Sequence, residues 1–281
     1  MITDTEIAGL TRSVVADTHV LVRPGRAERT IMLLHGIGSR AGSFTDVMLA
    51  WPQGPRLVAW DAPGYGHSKV LADEWPQAAD YAARLAAVCE ALDVRRVDVI
   101  GHSLGCLVAG AFGHRYQNKA GRMVFLSPAL GYRVVPGALP AALQARITEL
   151  EMLGGAAFAK LRAARLVGDA VHRPEIVAHV EANMASATLP GYAQAVRMLA
   201  SGDLLADARH VLAPACIISG TADVITPPSN AETLFDVLRT RDAARGAGDR
   251  LHMVANAGHA LTLEATAEVL RHLTDFFAEA P

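Results

Sequence analysis

The sequence predicts an α/β fold: a mostly parallel central sheet flanked by helices, with a helical insertion in the second half. Short, continuously apolar runs recur along the chain and end in Gly, Asp, Ser or Asn, as strands buried on both faces do. Helical periodicities separate several of these runs, and that alternation builds a parallel sheet covered by helices. From 131 to 207 the alternation stops, and Ala-, Arg- and Leu-rich text with helical spacing takes over.

In chain order, "RSVVA" and "HVLVRPG", joined at Asp17 and Thr18, read as a hairpin. "TIMLLHG" is the first fully apolar run; "RLVAWD" (56–61), "RVDVIG" (96–101), "RMVFLS" (122–127), "ACIISG" (215–220) and "LHMVAN" (251–256) come after it. Helical spacing marks 76–94, 104–117, 230–241 and 265–280. Within the interval, "LPAALQARITELEMLGGAAFAKLRAARLV" and "PEIVAHVEANMASA" are the clearest helices. The chain therefore divides into a core of 1–130 and 208–281 and an insertion of 131–207. With no internal repeat or low-complexity linker, the insertion is expected to pack on the sheet rather than swing free.

Composition narrows the function classes. Hydrophobic residues are 51% of the 281 and charged residues 19%, a globular balance rather than a disordered one. The net charge of −2 and scattered arginines do not make a nucleic-acid surface. No apolar stretch reaches the ~18–20 residues of a membrane span, and "MITDTEIAGL" lacks a leader's basic and apolar regions. Cys89, Cys106 and Cys216 sit in apolar contexts; an odd number without paired spacing suggests buried free thiols in a reducing compartment, and so a cytoplasmic protein. A monomer or homodimer is expected.

Ligands of α/β sheets bind beyond the carboxyl ends of the strands, so the residues just after each run matter most. There stand His35-Gly36-Ile37-Gly38, then Asp61 through Ser68 ("DAPGYGHS"), Gly101-His102-Ser103-Leu104-Gly105, Gly220-Thr221-Ala222-Asp223 and Asn256-Ala257-Gly258-His259. A serine, an aspartate and a histidine thus occur in that order at separate strand ends. Serine is a poor nucleophile unless a base takes its proton, and the base needs an acid to fix its tautomer. In G-x-S-x-G the serine sits on a tight strand-to-helix bend, and the helix N-terminus at Leu104 points N–H groups at any developing oxyanion.

"HGIG", "DAPGYGHS", "GHSLG", "GTADVITPP" and "NAGHALTLEA" occur in one order along the chain. In these motifs it resembles the α/β-hydrolase superfamily, in its capped esterase, lactonase and C–C hydrolase branch. The likeness covers nearly everything outside 131–207, which would be the cap. It implies Ser103 as nucleophile, His259 as general base and Asp223 as its orienting acid, with an oxyanion hole from the backbone N–H groups of Ile37 and Leu104. No carboxylate stands in "LSPALGY" (126–132), the alternative place for the acid in the family. Asp203 and Asp207 read as anchors where the chain re-enters the core, and Asp61 as a turn anchor.

A serine rather than an aspartate at the bend points to acyl transfer: an acyl-enzyme forms and water then hydrolyses it. Ala260 stands after the histidine where C–C hydrolases commonly carry Trp, and Leu104-Gly105-Cys106 replaces their Met-Gly-Gly. A small carboxylic ester or lactone is therefore the favoured substrate. C–C hydrolysis, cofactor-independent histidine-base chemistry and a non-catalytic receptor are the alternatives. No cofactor motif or metal-ligand spacing occurs. His35, Gly36, His102, Arg162, Arg165, Met184 and Tyr192 are the candidate substrate-binding residues. His35 would orient the oxyanion loop, and His102 would pack beside the serine. Arg162 and Arg165, three apart, either share a solvated helical face or clamp the carboxylate of an acidic substrate. Met184, Tyr192 and Met198 would supply apolar contact to core or ligand.

Overall fold

The computed structural model describes residues 7–241 and 248–278. The leader reading of residues 1–6 and the last two residues of the helix expected over 265–280 lie outside them.

The strands are β1 (Thr11–Val15), β2 (Thr18–Arg23), β3 (Arg26–Leu34), β4 (Pro55–Trp60), β5 (Val97–His102), β6 (Ala120–Leu126), β7 (Ala215–Gly220) and β8 (Arg250–Val254). They form one sheet in the order β1-β2-β4-β3-β5-β6-β7-β8. The β1–β2 and β2–β4 pairs are antiparallel, and every pair from β4 to β8 is parallel. The opening hairpin turns on Ala16 and Asp17, both at positive φ (47° and 60°), and Thr18 already opens β2 rather than sitting in the turn.

Strand side chains alternate between two cores, as period-2 geometry demands. Met32, Leu34, Val58, Val99 and Phe125 face one side; Ile31, Leu33, Leu57, Ile100 and Val124 face the other. The first side is covered by α2 (Ala78–Ala91), α3 (Leu104–Arg115) and α8 (Pro228–Arg239). The second is covered by α1 (Thr45–Ala50), α9 (Leu261–Glu264) and α10 (Thr266–Ala278). Helix α3 is buried from Leu104 to Gly113, so it shows no polar stripe. The three cysteines are buried.

Between β6 and β7 lie α4 (Ala141–Arg162), α5 (Pro174–Met184), α6 (Gly191–Ser201) and α7 (Leu204–Ala208), with no strand among the described residues. Helix α6, which is not among the helices expected from the sequence, is buried over nine of its residues. The long helix expected at 139–167 is broken: Gly154, at φ 70° and ψ 165°, kinks α4. Its neighbour Gly155 lies so close to Ala185 that a Cβ would stand 2.2 Å from that carbonyl oxygen. The glycine pair thus lets the second half of α4 dock on the end of α5.

This helical segment is stapled to the strand-end loops. Gln194 donates to Leu71 O (2.8 Å) and Asp73 O (2.7 Å), and Trp75 Nε1 donates to Ser201 Oγ at 3.2 Å. On the opposite side Ala260 N donates to Leu166 O (2.8 Å), and Arg173 donates to Glu264 O (2.9 Å). Asp203 caps α7 through Ala206 N, and Asp207 pairs with His114 at 2.8 Å. Both act as anchors where the chain returns to the sheet.

Candidate active site

Ser103 links β5 to α3 with φ 53° and ψ −113°, a conformation that costs a non-glycine residue ~1–3 kcal/mol. Its neighbours explain how the bend is held. A Cβ on Gly101 would lie 2.5 Å from Gly105 O, and one on Gly105 would lie 2.2 Å from Leu34 O. Only glycine at both positions lets α3 start this close to β3 and β5. The Ser103 N–H is tied to Leu126 O at 2.9 Å, so the bend leans on β6 as well.

Asp223 stands after β7 and His259 after β8, and both are buried. His259 Nδ1 lies 2.9 Å from Asp223 Oδ2. The other carboxylate oxygen accepts the Ile225 and Thr226 N–H groups at 2.8 and 2.9 Å. Burial pushes the Asp223 carboxyl up, but the hydrogen bond from His259, the charge of the imidazole and the two N–H bonds outweigh it and hold the pKa at about 2. An ionised Asp223 fixes the proton on Nδ1 and leaves the Nε2 lone pair free to accept another.

Thr226 is not among the residues singled out from the sequence, although it stands three residues after Asp223 in "GTADVITPP". Its hydroxyl lies 2.9 Å from Asp223 Oδ2, 3.1 Å from His259 Nδ1 and 3.0 Å from Ser127 O, so it touches both members of the pair. Glu264 steadies the histidine loop, accepting Gly258 N (3.0 Å) and, from the helical segment, Gly168 N (2.9 Å).

Neither the Ile37 N–H nor the Leu104 N–H has a partner among the described residues, whereas the adjacent Gly38 N–H donates to Tyr65 Oη at 3.2 Å. His35 Nδ1 donates to Gly36 O at 2.8 Å, and its Nε2 accepts Ala62 N–H at 2.9 Å. The ring is buried and is not among the residues lining the two lobes, and its two hydrogen bonds shape the loop. Asp61 anchors its turn by accepting Ala41 N–H (2.8 Å) and bonding His19 (2.8 Å).

His102 Nε2 donates to His259 O at 2.9 Å, and the two rings lie 4.9 Å apart. Burial, with the neighbouring His259 second, lowers its pKa to about 3. His102 is therefore neutral near pH 7 and buttresses the histidine loop.

Two lobes open here. The first encloses about 70 Å³ and is lined by Ser103, Arg146, Phe158, Arg162, Arg165 and Tyr192, among others. The second, about 40 Å³, includes Gly36, His102, Val180, Asn183, Ala260 and Leu263. Ile37, Gly38, Leu166, Met184 and His259 border both. Met198 is buried and lines neither lobe. Arg162 ends α4 while Arg165 belongs to the adjoining 3₁₀ turn, Ala163–Leu166, so they reach the first lobe without sharing the helical face expected of them.

A family model described as serine aminopeptidase, S33, matches residues 25–266. The 2-hydroxymuconate semialdehyde hydrolase of a Pseudomonas strain is 26% identical over 264 residues, covering 89% of this chain and 87% of the relative. A zebrafish serine hydrolase-like protein is 36% identical over 99 residues; the chain spans only 30% of that relative's length. Among solved structures, the enol-lactonase of Burkholderia xenovorans superposes with a TM-score of 0.81 at 20% identity, over 96% of this chain and 100% of the other. A thermophilic esterase of Thermogutta terrifontis, with malate bound, gives 0.80 at 19% identity, covering 95% and 98%. These structural likenesses are likenesses of fold.

Proposed function

Because the chain belongs to the serine aminopeptidase S33 family of α/β hydrolases, we propose that it hydrolyses small carboxylic esters or lactones through an acyl-enzyme on Ser103. One observation carries this reading: Ser103 and His259 line the same lobe, while His259 Nδ1 is committed to Asp223. The free Nε2 takes the Ser103 proton as Oγ attacks the substrate carbonyl, and Asp223 stabilises the imidazolium that forms. Charge on the carbonyl oxygen is met by the unpartnered N–H groups of Ile37 and Leu104. His259 then protonates the leaving oxygen, and a water activated by the same nitrogen releases the acid. Residues 131–207 serve as the cap that closes the lobes and limits the substrate to a small one.

The enol-lactonase and esterase relatives support ester or lactone chemistry. The Pseudomonas relative, aligned over most of its length, supports C–C hydrolysis as a second reading. Turnover of p-nitrophenyl acetate tests the proposal. Ser103→Ala is expected to lower kcat by up to ~10⁶-fold; retained turnover in that variant rules out the acyl-enzyme and leaves histidine-base chemistry.

A further inference from the structure

The first lobe is lined by three arginines and no carboxylate. They are not equivalent. The Arg162 guanidinium is committed to Glu149, with Nε at 2.6 Å and an Nη at 2.5 Å from the same oxygen, and it lies 4.8 Å from the centre of the Phe158 ring. Arg162 is therefore not available for the carboxylate clamp that the sequence offers as one alternative for Arg162 and Arg165. Arg146 and Arg165 have no acidic partner among the described residues. Arg146 is half-buried, and its Nε is sealed from solvent with no hydrogen bond among the described residues. A guanidinium partly withdrawn from water without a counter-charge carries an uncompensated desolvation cost. An anion in the lobe relieves it.

The second lobe has a different character. Its wall is mostly apolar and small polar; among the described residues it holds no Asp, Glu, Lys or Arg, and the buried Asn183 amide nitrogen there finds no partner. The lobes meet at Ile37, Gly38, Met184 and His259, beside Ser103, where a reacting carbonyl would sit. A substrate lying across that junction has one end among arginines and the other in an uncharged pocket.

We propose that the substrate is a small ester or lactone bearing a free carboxylate, and that Arg146 and Arg165 bind that carboxylate in the first lobe. The inference rests on the hydrolase reading for the reaction, and the arginines supply its selectivity. The guanidinium fork matches a planar carboxylate with two parallel N–H···O bonds. About 70 Å³ leaves room for a carboxylate on a short chain rather than a large anionic headgroup.

The test is binding to Ser103→Ala protein, which cannot form the acyl-enzyme, measured by NMR titration with monomethyl succinate and with dimethyl succinate. The monoester is expected to bind at least ~tenfold more tightly, the contribution of charge-assisted hydrogen bonds. Adding Arg146→Met or Arg165→Met should remove most of that preference. Arg165 is exposed on the 3₁₀ turn, so its variant keeps the test valid where Arg146→Met fails to fold. Equal affinities, no detectable monoester binding, or a preference that survives both replacements would overturn the carboxylate site. Fluorophosphonate labelling of the wild type reports separately on the nucleophile. Labelling without carboxylate preference removes the arginine site and keeps the hydrolase; preference without labelling keeps the site and removes the ester chemistry.

Discussion

Ser103, Asp223 and His259 stand on loops that leave parallel strands, whereas Arg146, Arg162, Met184 and Tyr192 stand on helices laid over those loops. The two halves of the site are held by different physics. At the strand ends the backbone itself is the constraint: glycines 101 and 105 allow approaches that a Cβ would prevent, and Ser103 is kept at positive φ by its hydrogen bond to β6. In the helical half, close backbone approaches occur too, as at Gly155, but the residues that line the pocket are placed by side-chain packing, the Arg162–Glu149 pair and staples such as Gln194 to Leu71 O. A backbone-defined site tolerates little change in sequence. A side-chain-defined wall can be rebuilt one residue at a time, which suits the part that selects the substrate.

The largest effects are expected at the reacting atoms. Beyond the loss expected for Ser103→Ala, replacing Asp223 with Asn should lower kcat about 10⁴-fold, because an amide favours the wrong His259 tautomer. Steady-state kinetics on a p-nitrophenyl ester checks this; a loss under tenfold would show that another group orients the imidazole.

Next come two glycines, one from each half. Gly105→Ala places a Cβ 2.2 Å from Leu34 O, where backbone must move, and should cost ~3 kcal/mol, the upper end for overpacking. Gly154→Ala meets nothing within 4 Å and only loses its left-handed freedom at φ 70°, for ~1–2 kcal/mol. Urea unfolding of both variants measures the difference; equal losses would mean that the close approach at Gly105 costs no more than the left-handed backbone at Gly154.

A pH-dependent effect concerns the buttress. Folded His102 has a pKa of about 3 against an unperturbed 6.5, so between those values the unfolded chain binds a proton that the folded one refuses. Stability due to this group therefore falls as pH drops through the window, by up to ~1.4 kcal/mol per pH unit. His102→Gln lacks that titration and should flatten the acid limb of a denaturation-versus-pH curve. An unchanged slope would place a charged imidazole in the folded state.

The same contrast explains how much the sequence reveals. The strands and the order of Ser103, Asp223 and His259 are legible because a strand buried on both faces is a continuous apolar run, and the functional loop comes directly after it. The close packing at Gly101 and Gly105 is legible for the same reason. Helix α6 escapes because nothing in the text marks where it begins: it starts at Gly191 after Pro190, with no side-chain cap. The kink at Gly154 is hidden inside a helical periodicity that continues on both sides of it. Thr226 lies within a recognised motif, yet a hydroxyl's partners depend on three loops meeting in space. Arg162 and Arg165 can be picked out as charges near the pocket, but the separation of a neutralised arginine from free ones depends on Glu149, thirteen residues away from Arg162 and brought to it by folding.

The most direct measurement is to treat the folded wild type with a fluorophosphonate, digest it and map the adduct by mass spectrometry. The expected result is a single modified peptide with the phosphonyl group on Ser103, absent from Ser103→Ala. A folded protein that stays unlabelled, or carries the adduct on another residue, would contradict the assignment of the strained serine as the nucleophile.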